Sequence, residues 1–545
     1  FAPDVRTLTI AVGLSSVSVE NARMNSLAEV PELDFDAVHA RAVGQWRKAL
    51  GDIVVEGGSR DEMTNFYTAQ YHTKLTPNLM NDVNGEYRRH DQTVARMPEG
   101  KSYYSTFSLW DTFRAWNPLQ TLVDTALVND MIRSMLDMYD STGELPIWPL
   151  ASGETGTMIG YHAVSVIADA YLKGIRGYDA DKALEAMIRS SNINKKGSDY
   201  YTAQGYIPSN IKRESVSCTL EYAYDDWAIA RMAQAMGRDD VFGEYARRAL
   251  NYVNVFDGSI CFFRGRQSDG NWSAPFEEFA TGRDYTEATP WHYRFFVPHD
   301  VNGLIQLFGS RETFIREMDR LFTLESDEMQ LDVSDVTGLM GQYAHGNEPS
   351  HHILYLYTML GQPWKTADKV REVLTTLYHD RPDGLSGNED VGQMSAWYVL
   401  SSLGMYEAEP AGGRYWFGSP LFDRAEVKVP GGVFTITAEN NSAANKYIQR
   451  VWLNGQPYTK PWIGHADLMK GGELRFEMGA EEKVWYCPDE PEAYADQRPA
   501  EEQRLFKSEA VEGEIARVCG LLTNERLRWM FANCFPNTLD TTVHY

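Results

Sequence analysis

The spacing of apolar positions changes twice along the chain. Residues 1–20, which include most of TLTIAVGLSSVSVENA, are rich in β-branched residues, which predicts the last strand or two of a preceding β domain. From Asp34 the period lengthens. In FDAVHARAVGQWRKALGDI, residues Phe35, Val38, Ala42, Trp46 and Leu50 fall at helical spacing behind Asp34 as N-cap. Amphipathic segments recur at 60–75, 117–140, 159–175, 180–190, 219–237, 240–255, 310–323, 350–361, 364–378 and 391–404, without a fixed repeat length. Between them lie loops dense in glycine, aromatic, acidic and amide residues. Paired helices with such loops predict a mainly α fold, an α/α toroid over 34–404 with the loops on one active face.

From about residue 405 the period shortens to two. RAEVKVPGGVFTITAEN alternates around a Pro-Gly-Gly turn, and YIQRVWLNGQPY carries an Asn-Gly hairpin signal. ELRFEMG and KVWYC continue the β character, so 405–487 reads as a β-rich segment. Residues 488–503 (PDEPEAYADQRPAEEQ) are acidic and proline-rich and read as a linker. Residues 504–545 return to helical spacing. With no signal peptide at Phe1 and apparent motifs at both ends, the chain reads as a fragment.

Composition narrows the partners. The 545 residues carry 51 Lys plus Arg against 76 Asp plus Glu, a net charge of −25. That balance disfavours nucleic acid and anionic membranes and suits a neutral ligand or a divalent cation. No apolar run is long enough to span a membrane. The aromatic content, 12%, fits a large core or sugar stacking equally in kind. Five scattered cysteines (218, 261, 487, 519 and 534) lack zinc spacing and form no disulfide framework.

Four loop regions concentrate chemistry. YSTFSLWDTFRAWNPL holds Trp110, Asp111 and Arg114, the last two spaced for a structural ion pair. TLEYAYDDW holds Glu221, Asp225 and Asp226. Glu221 and Asp225 share a helix face and repel unless water, an arginine or a ligand hydroxyl offsets them. YTEATPWHYRFFVPHD places Glu287 among aromatics, where poor solvation raises a carboxyl pKa as a general acid requires; an exposed loop glutamate is the alternative. HGNEPSHH and GLSGNEDVGQMSAWY supply Asn347, Glu348, Asn388, Glu389 and Asp390, hard oxygen donors of the kind Ca²⁺ takes, although Glu348 and Asp390 could also serve as helix caps. His345, His351 and His352 do not form a zinc HExxH motif. Separated acids converging on one face fit glycoside hydrolysis.

GETGTMIGYHAVSVIADAY, TLEYAYDDW, YTEATPWHYRFFVPHDVNGLI, HGNEPSHHILYLYTMLGQPWKT and GNEDVGQMSAWYVLSSLGMY, in this order, resemble glycoside hydrolase family 92, over roughly residues 1–490. The resemblance implies calcium-dependent, exo-acting, inverting α-mannosidases, with an N-terminal β-sandwich before an (α/α)6 barrel. It implies Glu287 as general acid and Asp390 as general base. Asn388 stands where some members carry a second aspartate, so Asp390 acts alone. Asn347, Glu348 and Asp390 are the implied Ca²⁺ environment. Trp110 and Asp111 resemble residues that hold the terminal mannose of a mannose-containing oligosaccharide, with Glu221, Asp225, Asp226, His345 and Asn388 as further substrate-binding candidates. LFKSEAVEGEIARVCGLL and NCFPNTLDTTV resemble the start of glycoside hydrolase family 125, implying a second mannosidase module in a longer parent chain. A glycan substrate implies a secreted, periplasmic or cell-surface location. The competing expectation is a mannan-binding fragment without turnover.

Overall fold

Two helices buried on all sides organise the molecule. All of Gln393–Ser402 and nearly all of Ser215–Ala235 is shielded from solvent, as expected of helices inside a large core. Ser215–Ala235 packs against Ala163–Leu172, Ala180–Ser191 and Asp239–Arg248. Gln393–Ser402 packs against Arg60–His72 and Trp116–Val123, and Ile353–Met359 pairs with Pro363–Thr376. The structure, a computed structural model, describes residues 7–193, 196–325, 336–486 and 508–521. Helix starts follow local capping. Asp34 Oδ1 accepts the Ala37 N–H, and Ser59 and Glu62 form a reciprocal capping box before Arg60–His72. Among the described residues no helix is long and apolar enough to cross a membrane.

Within residues 7–486 the fold is mainly helical up to Ser402 and β-rich beyond it. A six-stranded sheet runs in the order Ile53–Glu56, Arg424–Val429, Gly432–Glu439, Gly472–Gly479, Tyr447–Leu453 and Gln456–Pro457. Val429 faces Gly432 across the Pro-Gly-Gly turn, and Leu453 faces Gln456 across Asn454-Gly455. Gly432–Glu439 and Gly472–Gly479 run parallel. A second sheet joins Met405–Tyr406, Arg414–Phe417 and Trp462–Gly464.

Several local expectations change. Residues 7–18 form no strand, and Val19–Glu29 is a helix. Leu8, Ile10, Val12 and Leu14 alternate in sequence yet stay 56–80% exposed; a strand needs a neighbour for its N–H and C=O groups, and none pairs with this segment. Residues 1–6 lie outside the described residues. The helix from Phe35 ends at Ala49, and Ile53–Glu56 leaves the helical region to pair antiparallel with Arg424–Val429. The described part of KVWYC is irregular, with Trp485 and Tyr486 packed as rings 5.0 Å apart. Residues 487–545 are a separate unit; the linker 488–503 lies outside the described residues, and of 504–545 the structure describes the helix Glu509–Leu521 and Ser508. Cys218 and Cys261 are free thiols among the described residues.

Candidate active site

Five regions of the chain line one cavity of 240 Å³: Ser108, Trp110 and Asp111; Trp148 with Thr155, Thr157 and Met158; Glu287; Gly346–Glu348; and Asn388 with Asp390. Its backbone is unusual at two of the four carboxylates that line it. Glu287 has φ +50° and Asp390 φ +49°, both left-handed. For residues with a Cβ such conformations are costly and persist only where the surroundings impose them.

The Glu287 loop is anchored to the start of the buried helix Ser215–Ala235. Thr286 N–H donates to Ser217 Oγ at 2.9 Å, and the Val216 and Ser217 N–H groups donate to Asp284 O at 3.0 and 3.3 Å. These contacts occupy N–H groups that a helix start leaves without internal partners. Asn347 Nδ2 donates to Glu287 O at 2.7 Å, which joins the Glu287 loop to the HGNEPSHH loop. That loop in turn meets the Asp390 loop at Gly346, where a Cβ would lie 1.9 Å from Thr337 Oγ1 and Gly387 approaches closely. Only glycine permits this contact, and it brings Glu348 beside Asp390.

Carboxylate oxygens of Asp111, Glu348 and Asp390 lie within 4.8 Å of one another. Burial pushes the Glu348 carboxyl well up, and the charges of Asp111 and Asp390 add to this. Burial also pushes Asp111 well up, helped by Asp390 and Glu287, while a hydrogen bond from Ser108 and the nearby Arg114 oppose the shift. Glu348 Oε1 and Asn347 Oδ1 are buried without a hydrogen-bond partner. A crowded carboxylate group beside the unpartnered Glu348 Oε1 and Asn347 Oδ1 fits a hard divalent cation such as Ca²⁺, which takes oxygen ligands only. Asp111, expected at the sugar, also lies with Glu348 and Asp390, and Asn347, whose amide nitrogen is committed to Glu287 O, has Oδ1 left for a ligand.

Four other candidates are not brought to the cavity. Glu221, Asp225 and Asp226 are fully buried and held by protein partners. Glu221 Oε1 accepts from Trp110 Nε1 (3.2 Å), Arg114 Nη2 (3.2 Å) and Tyr293 OH (3.1 Å). His162 lies between two acids, with Nδ1 2.8 Å from Asp225 Oδ1 and Nε2 3.3 Å from Glu221 Oε2, as ion-pair contacts off the line of a hydrogen bond. Burial works against a charged His162, but Asp225 and Glu221 outweigh it and push the ring up to about 9. Burial likewise opposes an ionised Glu221, yet Arg114 and His162 hold its carboxyl below the usual range. Asp226 accepts from Tyr161 OH, Tyr201 OH and Arg248 Nε at 2.7–3.0 Å. The Glu221–Asp225 repulsion is thus offset by an arginine and an imidazolium. Arg114 pairs with Glu221 rather than with Asp111, its guanidinium 4.5 Å from the Phe113 ring centroid.

His345 is also internal, 2.9 Å from Tyr343 OH and 2.8 Å from Tyr378 OH. His351 faces His345 O and the Gln393 amide, and His352 faces Phe295 O. Burial pushes all three rings down, His351 to about 3 and His352 to about 4, so they are neutral core residues. Asp390 does not cap the following helix, whose N-cap is Gly392, and Glu348 opens a short 3-10 turn with Asn347 at the cap position. Sequence reasoning missed Trp148, Thr155, Thr157 and Met158. Their signal was the Trp-Pro and Gly-Glu-Thr-Gly run, whose hairpin is braced by the Glu154 carboxylate accepting the Ile147, Trp148 and Gly156 N–H groups at 2.8–2.9 Å.

Comparison with known proteins places this geometry. The sequence profile of the glycosyl hydrolase family 92 catalytic domain matches residues 21–480. An uncharacterized secreted glycosidase of Arthroderma benhamiae is 28% identical over 522 residues, 87% of this chain and 61% of that protein. The family GH92 α-mannosidase BT3965 from Bacteroides thetaiotaomicron, in complex with mannoimidazole, matches with a TM-score of 0.83 at 38% identity, covering 86% of this chain and 62% of that one. The family GH92 inverting mannosidase BT2199 from the same species matches with a TM-score of 0.79 at 35% identity, covering 86% and 66%. The chain therefore spans 61–66% of the length of these relatives. With the profile match extending over most of its residues, the chain belongs to glycosyl hydrolase family 92.

Proposed function

We propose that this chain is the catalytic part of an exo-acting, inverting α-mannosidase that removes terminal α-mannose from glycans or mannan with calcium, on helices arranged as an (α/α)6 toroid. The observation that carries the reading is the cavity itself. Glu287 on one loop and Asp390 on another line the same 240 Å³ space beside Asp111 and Glu348. That volume is below the roughly 300 Å³ where drug-sized ligand pockets begin, which suits one sugar ring and hence attack at a chain end.

In this reading Glu287 protonates the leaving glycosidic oxygen and Asp390 takes a proton from a water on the opposite face of the ring. Inversion needs the two carboxyls about 6.5–9.5 Å apart, room enough for that water. Trp110 and Trp148 supply aromatic surface against the sugar, and Asn388 and the Thr155 and Thr157 hydroxyls supply polar contacts at the cavity wall. Asp111, Glu348, Asp390 and Asn347 Oδ1 would hold the metal. A bound Ca²⁺ supplies coordination of sugar hydroxyls that favours a flattened ring. A secreted or surface location and a second mannosidase module after residue 503 complete the proposal.

A proton NMR time course with an α-mannobiose and added calcium tests it. The expected first product is β-mannose, and chelation with EDTA abolishes turnover until calcium is restored. Binding shifts without product would instead favour a mannan-binding module. Full activity after thorough chelation would remove the metal from the proposal.

A further inference from the structure

The loop carrying Asp390 is strained at two consecutive residues, Asp390 at φ +49° and Val391 at φ +58°. Neither is glycine, so something outside the loop must impose the conformation. The contacts on either side of Asp390 come from the end of the helix Arg60–His72 and the turn after it, more than 300 residues away in sequence. His72 Nδ1 lies 2.9 Å from Glu389 Oε2 and 3.2 Å from Ser395 Oγ. Glu389 Oε1 accepts the Ser395 N–H at 2.9 Å, and Oε2 accepts Ser395 Oγ at 2.8 Å. An ionised carboxylate only accepts, so Nδ1 carries the hydrogen and donates. Beyond Asp390, Thr76 Oγ1 donates to Val391 O at 3.1 Å. Gly392, at φ +92°, fits so closely that a Cβ would lie 2.8 Å from the Trp116 ring and 3.2 Å from Thr73 Cα.

Glu389 is turned away from the cavity that its neighbours Asn388 and Asp390 line. An acid beside the proposed base, facing backwards onto a histidine from a distant helix, is a device for fixing backbone direction. We propose that His72 is a positioning residue for Asp390: through Glu389 it clamps the 389–392 turn so that the Asp390 carboxylate stays aimed into the cavity. The inference rests on Asp390 being the general base.

The test compares His72→Phe, His72→Gln and Glu389→Gln with Asp390→Asn in the otherwise intact chain, measuring kcat and KM on an α-mannobiose together with the melting temperature. His72→Phe removes the donor and is expected to lower kcat by about 10–100-fold, the usual cost of losing a supporting partner. His72→Gln keeps an N–H donor and is expected to recover most of that loss. Glu389→Gln, which retains one acceptor oxygen, falls between them. A structural role alone would lower the melting temperature of all three variants and leave kcat per folded molecule unchanged, which would overturn the inference. If Asp390→Asn abolishes turnover while His72→Phe keeps the parent kcat, the clamp fails and the base assignment stands. If Asp390→Asn retains turnover, the base assignment falls, and the clamp with it.

Discussion

Glu287→Gln is expected to lower kcat for alkyl α-mannosides by roughly 100- to 10,000-fold, the range a positioned general acid contributes. The glutamine amide preserves shape and hydrogen bonding but has no proton to give. For an aryl mannoside whose leaving group departs without protonation, the loss should be far smaller, and the ratio of the two losses is the diagnostic quantity. The backbone at residue 287 is held in this variant by Thr286 N–H on Ser217 and by Asn347 on Glu287 O, contacts that the substitution leaves intact. Equal losses on both substrates would point to a binding role and remove Glu287 from the proton-donor assignment.

The second large effect falls on stability. Glu221→Gln leaves the buried Arg114 without its counter-charge, while His162 keeps Asp225 at 2.8 Å. Removing one partner of a buried ion pair costs about 3–5 kcal/mol because the remaining charge stays uncompensated. A urea titration followed by tryptophan fluorescence should show the corresponding fall in midpoint. Glu244→Gln, which removes a 54% exposed partner of Arg248, should change it by no more than about 0.5 kcal/mol. A Glu221 effect as small as that control would mean the network is not ionised as described.

The same network sets an alkaline limit. His162 is pushed up to about 9 in the folded chain from an ordinary value of 6.5. A raised folded-state pKa contributes stability that is fully present below pH 6.5 and is lost as pH rises through about 9. The contribution amounts to about 3 kcal/mol, since each pKa unit is 1.36 kcal/mol. Melting temperature should therefore fall between pH 6.5 and 9 in the parent chain, and fall less in His162→Gln, which has no titrating ring.

The residues differ in how far local pattern reached. Asp34 and Ser59 as caps, the Pro-Gly-Gly and Asn-Gly turns, and the helical segments between residues 60 and 404 follow from interactions within a few residues, and those are written in sequence order. The strand Ile53–Glu56 does not, because its partner lies beyond residue 420. The β-branched run at 7–18 misled for the complementary reason: residue type favours an extended backbone, and a strand also needs a neighbour.

In the site, TLEYAYDDW and GNEDVGQ looked alike as acid-rich motifs, yet their acids serve different ends. Glu221, Asp225 and Asp226 sit on a helix buried on all sides, so each is committed to a cation or a hydroxyl inside the protein. Asp390 sits on a strained turn at the cavity wall. The sequence by itself determined most of the helices and turns after residue 34 and which loops hold oxygen donors, since these depend on residue type and short-range spacing. Only the tertiary structure decided that Asp111 joins Glu348 and Asp390, that Arg114 turns to Glu221, and that His72 reaches Glu389. Those choices depend on which distant loops share a cavity and how each buried charge is compensated, and both are settled by packing across the whole chain.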